Sequence, residues 1–357
     1  MNYRYHFIRD LVPVGFLAGS SGGVRGDGSM LTFEWLEPSS MQEAISILKN
    51  SKNPVLYAGG TDLVPLMKYG LRKPDVCVSL KHIPGLNQVE TNGEYVKIGS
   101  MVTLTSLAHH PSVNRLFPSV GKAANLVASP QIRNIGTLGG NILQERRCKY
   151  FNRSDRWRKD LKDCYLIGGD HCFQAPRSRD CRALYYSDVA APLIAYNARL
   201  ELYGENGPST VSLSQIFSDN GSINLDKNAV VTGLILPAPS PGTRSLFFKK
   251  SVRGSLDFPL ATVAIAYTPG DDAGEPAIAI VVGAMAPSPL RLRDTEKHIR
   301  NLGRIETGNL EEVISKATGE LAQKSRLIHE ADISIRAKKA IAAGLLGKVL
   351  NQILLER

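Results

Sequence analysis

From Leu31 onward the chain carries two hydrophobic periods. Met41, Ala44, Ile45 and Leu48 recur at helical spacing behind Ser39 and Ser40, so MQEAISILKN predicts a serine-capped helix. FEWLEPSS before it reads as a strand running into that cap. NPVLYAGG reads as a short buried strand ending in glycines, and TDLVPLMKYG as the helix leaving that turn. VCVSL and YVKIGS read as further strands. LTSLAHHPSVNRLFPSVGKAANLVA reads as helix broken at Pro111 and Pro118, because proline lacks the amide and clashes with the preceding turn. Residues 31–240 are thus expected to be α+β, built of two lobes.

Pro237, Pro239 and Pro241 in LILPAPSPG mark a boundary near 242. Beyond it SLFFKKSVR, ATVAIAYTPG and AIAIVVGAMAP read as three strands. LEEVISKATGELAQ and SIRAKKAIAAGLLGKVLNQILL read as helices. Residues 243–357 therefore predict a smaller C-terminal α+β domain with a three-stranded sheet and helices. Residues 1–30 are different: a polar start, a short apolar run and a Gly/Ser linker. They are expected to be a disordered extension, or a start codon placed early with Met30 as the functional beginning. A targeting segment is the alternative.

Composition narrows the class. The 357 residues are 43% hydrophobic and 21% charged, enough for more than one core and unlike a disordered or fibrous chain. No stretch approaches ~18 apolar residues, so no membrane span is expected. The net charge of +10 calls for an acidic partner: nucleic acid, an anionic cofactor or an acidic protein. Much of it is local. Residues 146–182 hold 11 Lys/Arg against 5 Asp, a net of +6. This stretch has no period of 2 or 3.6, and it lacks the reader motif of a nucleic-acid binder. Catalytic triads, metal-hydrolase motifs and phosphoryl-transfer motifs are missing.

The same stretch holds four of the five cysteines, Cys148, Cys164, Cys172 and Cys181, spaced C-x15-C-x7-C-x8-C. Cys77, in VCVSL, reads as a small buried hydrophobe. No strong secretory signal is visible, which implies a reducing, cytoplasmic compartment. The spacing fits neither a ferredoxin run nor a zinc ribbon, so it leaves an iron–sulfur cluster, zinc or unliganded thiols open. His171 keeps a mixed ligand set open as well.

Two glycine-rich turns complete the candidate chemistry. Ala58-Gly59-Gly60-Thr61-Asp62 lies between a strand and a helix, where missing Cβ atoms let backbone amides approach an anion. It is neither the dinucleotide fingerprint nor a P-loop, and a tight strand–helix turn explains it equally well. Ile135-Gly136-Thr137-Leu138-Gly139-Gly140-Asn141 is the second. Two such turns favour an extended diphosphate ligand.

AGGTDL at 58–63, QIRNIGTLGGNI at 131–142 and YSDVAAPL at 186–193 resemble the FAD-binding subunit of the molybdenum hydroxylase family. Phe248–Arg253 (FKKSVR) and Gly283–Ala286 (GAMA) extend the resemblance to the C-terminal part. It implies a two-lobed FAD-binding domain in which Ala58, Gly59, Gly60, Thr61 and Asp62 hold the FAD pyrophosphate. Thr137, Leu138, Gly139, Gly140 and Asn141 are implied along the pyrophosphate and flavin side, with Asp188 near the FAD. Lys249 is implied to approach the flavin ring; the plainer reading is an exposed strand lysine.

Most members of that family lack residues 146–182. The insertion is similar to that of the 4-hydroxybenzoyl-CoA reductases, a branch in which four such cysteines bind a [4Fe–4S] cluster. The resemblance implies Cys148, Cys164, Cys172 and Cys181 as its ligands, beside Arg146, Arg147, Arg177, Arg179 and Arg182. It further implies an electron-transfer flavoprotein subunit with molybdenum-cofactor and [2Fe–2S] partner subunits, in a dimer of heterotrimers. Ferredoxin is the implied donor and reductive dehydroxylation to benzoyl-CoA the net reaction. The rival readings are a conventional hydroxylase flavin subunit, a nucleic-acid-binding protein and a zinc-stapled assembly subunit.

Overall fold

The computed structural model describes residues 32–254, 256–270, 276–303, 305–330 and 333–355. The extension expected over 1–30 lies outside the described residues. Strand β1 (Glu34–Leu36), helix α1 (Met41–Asn50), strand β2 (Pro54–Tyr57), helix α2 (Leu63–Lys68) and strand β3 (Val76–Ser79) form the first lobe. Its strands make a parallel sheet in the order β1-β3-β2. Parallel neighbours need a crossover, and α2 supplies it between β2 and β3. The Ser40 hydroxyl caps α1 by accepting from the Glu43 amide, and Ala44, Ile45 and Leu48 turn inward. They join Val76 and Val78 in one core. Strand β2 is half-buried along its length rather than buried, as an edge strand must be.

The second lobe is a five-stranded antiparallel sheet with its helices. Strands β4 (Val89–Thr91) and β5 (Tyr95–Gly99) precede the helices, and β6 (Arg199–Gly204), β7 (Gly207–Ser212) and β8 (Val230–Pro237) follow. Their order is β4-β5-β8-β6-β7. Between β5 and β6 run α3 (Leu104–His109), α4 (Pro111–Leu116), α5 (Pro118–Asn125), α6 (Pro130–Ile135), α7 (Leu138–Ile142), α8 (Asp155–Arg158) and α9 (Ala190–Ala195). Pro111, Pro118 and Pro130 each open a helix, where the missing amide leaves no hydrogen bond unmade.

Strands β9 (Arg244–Lys250), β10 (Ala261–Thr268), β11 (Ala277–Gly283) and β12 (Leu290–Arg291) form a third sheet, ordered β12-β11-β10-β9. The expected three-stranded sheet therefore has a fourth strand. Strand β12 is two residues long, too short to register as an alternating pattern, yet it pairs Val281 with Arg291 and Val282 with Leu290. Helices α10 (Arg293–Leu302), α11 (Thr307–Lys324) and α12 (Ile335–Leu355) cover one face.

Both faces of this sheet are buried, and alternation divides them. Val263, Ile265 and Tyr267 of β10 pack with residues of α10–α12. Ala264 and Ala266 of the same strand join the core of the second lobe, with Val281 of β11 and Phe247 of β9. Small residues on that side let α5 and α9 approach closely. Among the described residues no helix is long and apolar enough to cross a membrane.

Candidate functional site

The first glycine turn leaves the C-terminal end of β2 in the parallel sheet, the usual ligand edge of such sheets. It touches the second turn. A Cβ on Gly59 would lie 2.2 Å from the Ile135 carbonyl oxygen and 3.1 Å from Gly136 Cα. Gly60 has φ +68°, the left-handed region that favours glycine. Ala58 and Asp62, on either side, are half-buried. Among the described residues the amides of Gly59, Gly60 and Thr61 meet no acceptor.

The second turn is spent differently. Leu138 N donates to the Val102 carbonyl and Gly139 N to the Ser100 carbonyl, both at 2.8 Å. The Thr137 hydroxyl accepts from Gly140 N at 3.2 Å and caps α7. A Cβ on Gly139 would lie 2.9 Å from Ser100 Cβ. The glycines here serve close packing onto the end of β5, and Leu138 is fully buried. Asn141 Oδ1 accepts from the Ser187 hydroxyl at 2.6 Å, which ties this turn to the segment carrying Asp188.

Asp188 and Lys249 form a buried ion pair. The Lys249 ammonium donates to Asp188 Oδ2 at 2.7 Å and to the Leu126 carbonyl at 2.9 Å. Their side chains are 4% and 7% exposed respectively, so the reading of Lys249 as an exposed strand lysine is corrected. Position 249 pairs with Thr262 in β10, which holds it within the sheet. Asp188 Oδ1 is buried and has no partner among the described residues. Burial pushes the Asp188 carboxyl up to about 6, and Lys249 opposes that rise without cancelling it.

The cysteine-bearing segment is closed at its base by two backbone bonds, Arg147 N to the Leu184 carbonyl at 2.8 Å and Leu184 N to the Arg147 carbonyl at 3.0 Å. Within it are only α8 and a short 3-10 turn at Tyr165–Ile167. Burial raises the Cys148 thiol, backbone amides oppose the rise, and Cys172 and Cys164 add to it. Cys181 is pushed up to about 11 by burial first, and Cys172 and Cys164 act on it as well. Cys164 and Cys172 thus lie within electrostatic reach of both Cys148 and Cys181. Among the described residues no three His, Cys, Asp or Glu side chains are close enough to hold a single metal ion. The Tyr150 amide donates to Cys148 Sγ and the Ala183 amide to Cys181 Sγ, each at 3.4 Å. Cys77 lies apart in β3, 1% exposed, its thiol pushed up to about 11 by burial.

The segment reaches back to the first turn. The Arg147 guanidinium pairs with Asp62 Oδ1, and Glu145 N donates to Asp62 Oδ2 at 2.9 Å. Arg147 reads in the sequence only as a basic neighbour of Cys148; its partner is 85 positions away, beyond any local pattern. A second cluster also escapes the sequence. Lys338 is 1% exposed and donates to Glu330 Oε2 at 2.7 Å, while the Tyr186 hydroxyl donates to Glu330 Oε1.

Residues 31–239 match the family described as the FAD binding domain in molybdopterin dehydrogenase. The carbon monoxide dehydrogenase medium chain of Hydrogenophaga pseudoflava is 26% identical over 321 residues, 89% of this chain and 96% of its own length. The nicotine 6-hydroxylase medium subunit of Paenarthrobacter nicotinovorans is 26% identical over 262 residues, 73% of this chain and 78% of its own. In the solved carbon monoxide dehydrogenase from Hydrogenophaga pseudoflava, one chain matches with a TM-score of 0.71 at 25% identity, over 90% of this chain and 96% of that one. Quinoline 2-oxidoreductase from Pseudomonas putida 86 shares the fold, with a TM-score of 0.69 at 19% identity, over 90% of this chain and 96% of that chain. With more than half of its length matched to that family and its fold shared with a carbon monoxide dehydrogenase chain, this chain belongs to the FAD-binding subunits of the molybdenum hydroxylase family.

Proposed function

We propose that this chain is the flavin subunit of a molybdenum-containing oxidoreductase of the xanthine, aldehyde or carbon monoxide dehydrogenase kind. It works beside a molybdenum-cofactor subunit and a [2Fe–2S] subunit, in a dimer of heterotrimers. One observation carries the reading: the three uncommitted amides of Gly59, Gly60 and Thr61, in a turn pressed against the second glycine turn. Converging amides are what a diphosphate requires. Asp188 Oδ1, buried without a partner, is an acceptor waiting for a hydroxyl or N–H donor, and FAD offers both.

Bound FAD supplies conversion between two-electron and one-electron transfer. The chain's own residues hold and orient it. Gly59, Gly60, Thr61 and Asp62, entered from Ala58, shape the diphosphate turn. Thr137, Leu138, Gly139, Gly140 and Asn141 brace that turn from the second lobe. Lys249 fixes Asp188 Oδ2, leaving Oδ1 for the ligand, and places a positive charge beside it.

A second reading is favoured by the cysteine segment. Cys148, Cys164, Cys172 and Cys181 all lie on this one segment, and Cys172 and Cys164 act on both Cys148 and Cys181, which supports a shared [4Fe–4S] cluster. The amide donors on Cys148 and Cys181 and the surrounding arginines would favour its reduced state. With the C-x15-C-x7-C-x8-C spacing, this supports a 4-hydroxybenzoyl-CoA reductase-like enzyme that takes electrons from reduced ferredoxin in anaerobic aromatic degradation.

The test is the complex isolated through a tag on this chain. Both partner subunits and one FAD should accompany it. Reoxidation of the reduced complex by NAD⁺ or a dye supports the hydroxylase reading. Flavin bleaching by reduced ferredoxin, with consumption of 4-hydroxybenzoyl-CoA, supports the reductive one. A complex without flavin would contradict both.

A further inference from the structure

Asp62 stands in the turn that we assign to the FAD diphosphate, and a carboxylate there has the wrong sign for an anionic ligand. The chain answers this charge from the base of the cysteine-bearing segment. Both oxygens of Asp62 are taken, one by the Arg147 guanidinium and one by the Glu145 amide at 2.9 Å. The Glu145 carboxylate in turn pairs with Arg72, just past the far end of α2. Residues 145–147 therefore clamp α2 and its entry turn from both ends.

Besides Asp62, Arg147 is held from two further directions. Its backbone makes the reciprocal bonds with Leu184 that close the segment. Its guanidinium lies over the Phe258 ring, 4.9 Å from the centroid. Its Nε is buried with no acceptor among the described residues. Cys148 follows directly and packs with Leu66, Leu71 and Phe151. A charge held this firmly against Asp62 acts as part of the turn.

We propose that Arg147 is a positioning residue for FAD: it neutralises Asp62 and turns it toward residues 145–147, so that the base of the insertion completes the diphosphate site. The proposal rests on the assignment of the first glycine turn to FAD. It makes the cysteine-bearing insertion a contributor to flavin affinity and not only a carrier of thiols.

The test is a charge-rescue series read as FAD affinity. The full-length chain in its complex is stripped of flavin and titrated with FAD by fluorescence quenching. Arg147→Met should raise the Kd about tenfold, since it leaves Asp62 charged and unpaired beside the diphosphate. Added salt should recover part of that loss by screening. Asp62→Asn in the Arg147→Met background should bring the Kd back to within about threefold of the natural chain. Rescue by charge removal separates electrostatic positioning from mere folding. An Arg147→Met chain that binds FAD as the natural one does, or a loss that Asp62→Asn leaves unrepaired, would overturn the proposal. A natural chain that takes up no FAD would overturn the flavin assignment itself, and this role with it.

Discussion

The Lys249 ammonium meets the Asp188 carboxylate at 2.7 Å, and the contact joins a strand of the third sheet to the loop entering α9. Removing one partner of such a buried pair strands the other charge. Lys249→Met should cost about 3 kcal/mol of stability near pH 7. The sign of its pH dependence follows from burial, which already raises the Asp188 carboxyl to about 6. Without Lys249 it rises further, so the folded variant holds a proton that the unfolded chain releases above about pH 4. The deficit is largest above the folded value and shrinks as pH falls through it. Urea denaturation at neutral and mildly acidic pH measures this; an equal deficit at both would show that Asp188 does not take up the proton.

Gly59 and Gly140 separate two uses of glycine. Gly59→Ala would drive a Cβ to 2.2 Å from the Ile135 carbonyl oxygen, so the two turns must part. Gly140→Ala would meet only the Thr137 hydroxyl at 3.1 Å, at an exposed helical position. Gly59→Ala should therefore lose FAD during purification while Gly140→Ala keeps most of it. Flavin content per chain is the measurement, and equal retention would count against the first turn as the diphosphate site.

Phe247 is fully buried where the third sheet meets the core of the second lobe. Phe247→Ala should destabilise by about 3–5 kcal/mol. It should do so in a single cooperative transition, because the same core includes Ala264, Val281 and the helices of the second lobe. Two separated transitions in a thermal scan would show that the C-terminal part melts independently.

Cys164 and Cys77 make a matched pair of thiol replacements. On the cluster reading, Cys164→Ser should remove the iron and leave FAD largely in place, since no contact of the glycine turns passes through Cys164. Cys77→Ser should leave iron and flavin alone and weaken only the packing of β3. Iron retained in Cys164→Ser would take that residue out of the ligand set.

What could be read from the sequence was local. Ser40 and the spacing of Ala44, Ile45 and Leu48 announce α1 because cap and core face lie within one decade of residues. The two glycine turns announce themselves by composition. Helix α10 shows no hydrophobic pattern because only Ile299 of its buried residues is apolar: Thr295 and Glu296 are buried too, and Glu296 accepts from Ile280 N at 2.8 Å and from Arg291 Nε at 2.9 Å. Buried Lys338 defeats a hydrophobic pattern in the same way. The pairings Asp188–Lys249 and Asp62–Arg147 join residues 61 and 85 positions apart, and only the folded chain shows which charges meet.

The most direct measurement is the cofactor content of the anaerobically purified chain, with iron, acid-labile sulfide, zinc and flavin assayed on one sample. One FAD per chain is the predicted result, and about four irons and four sulfides beside it would support the cluster reading of the cysteine segment. Absence of flavin would contradict the subunit's role, and flavin accompanied by zinc, or by no metal at all, would contradict the cluster.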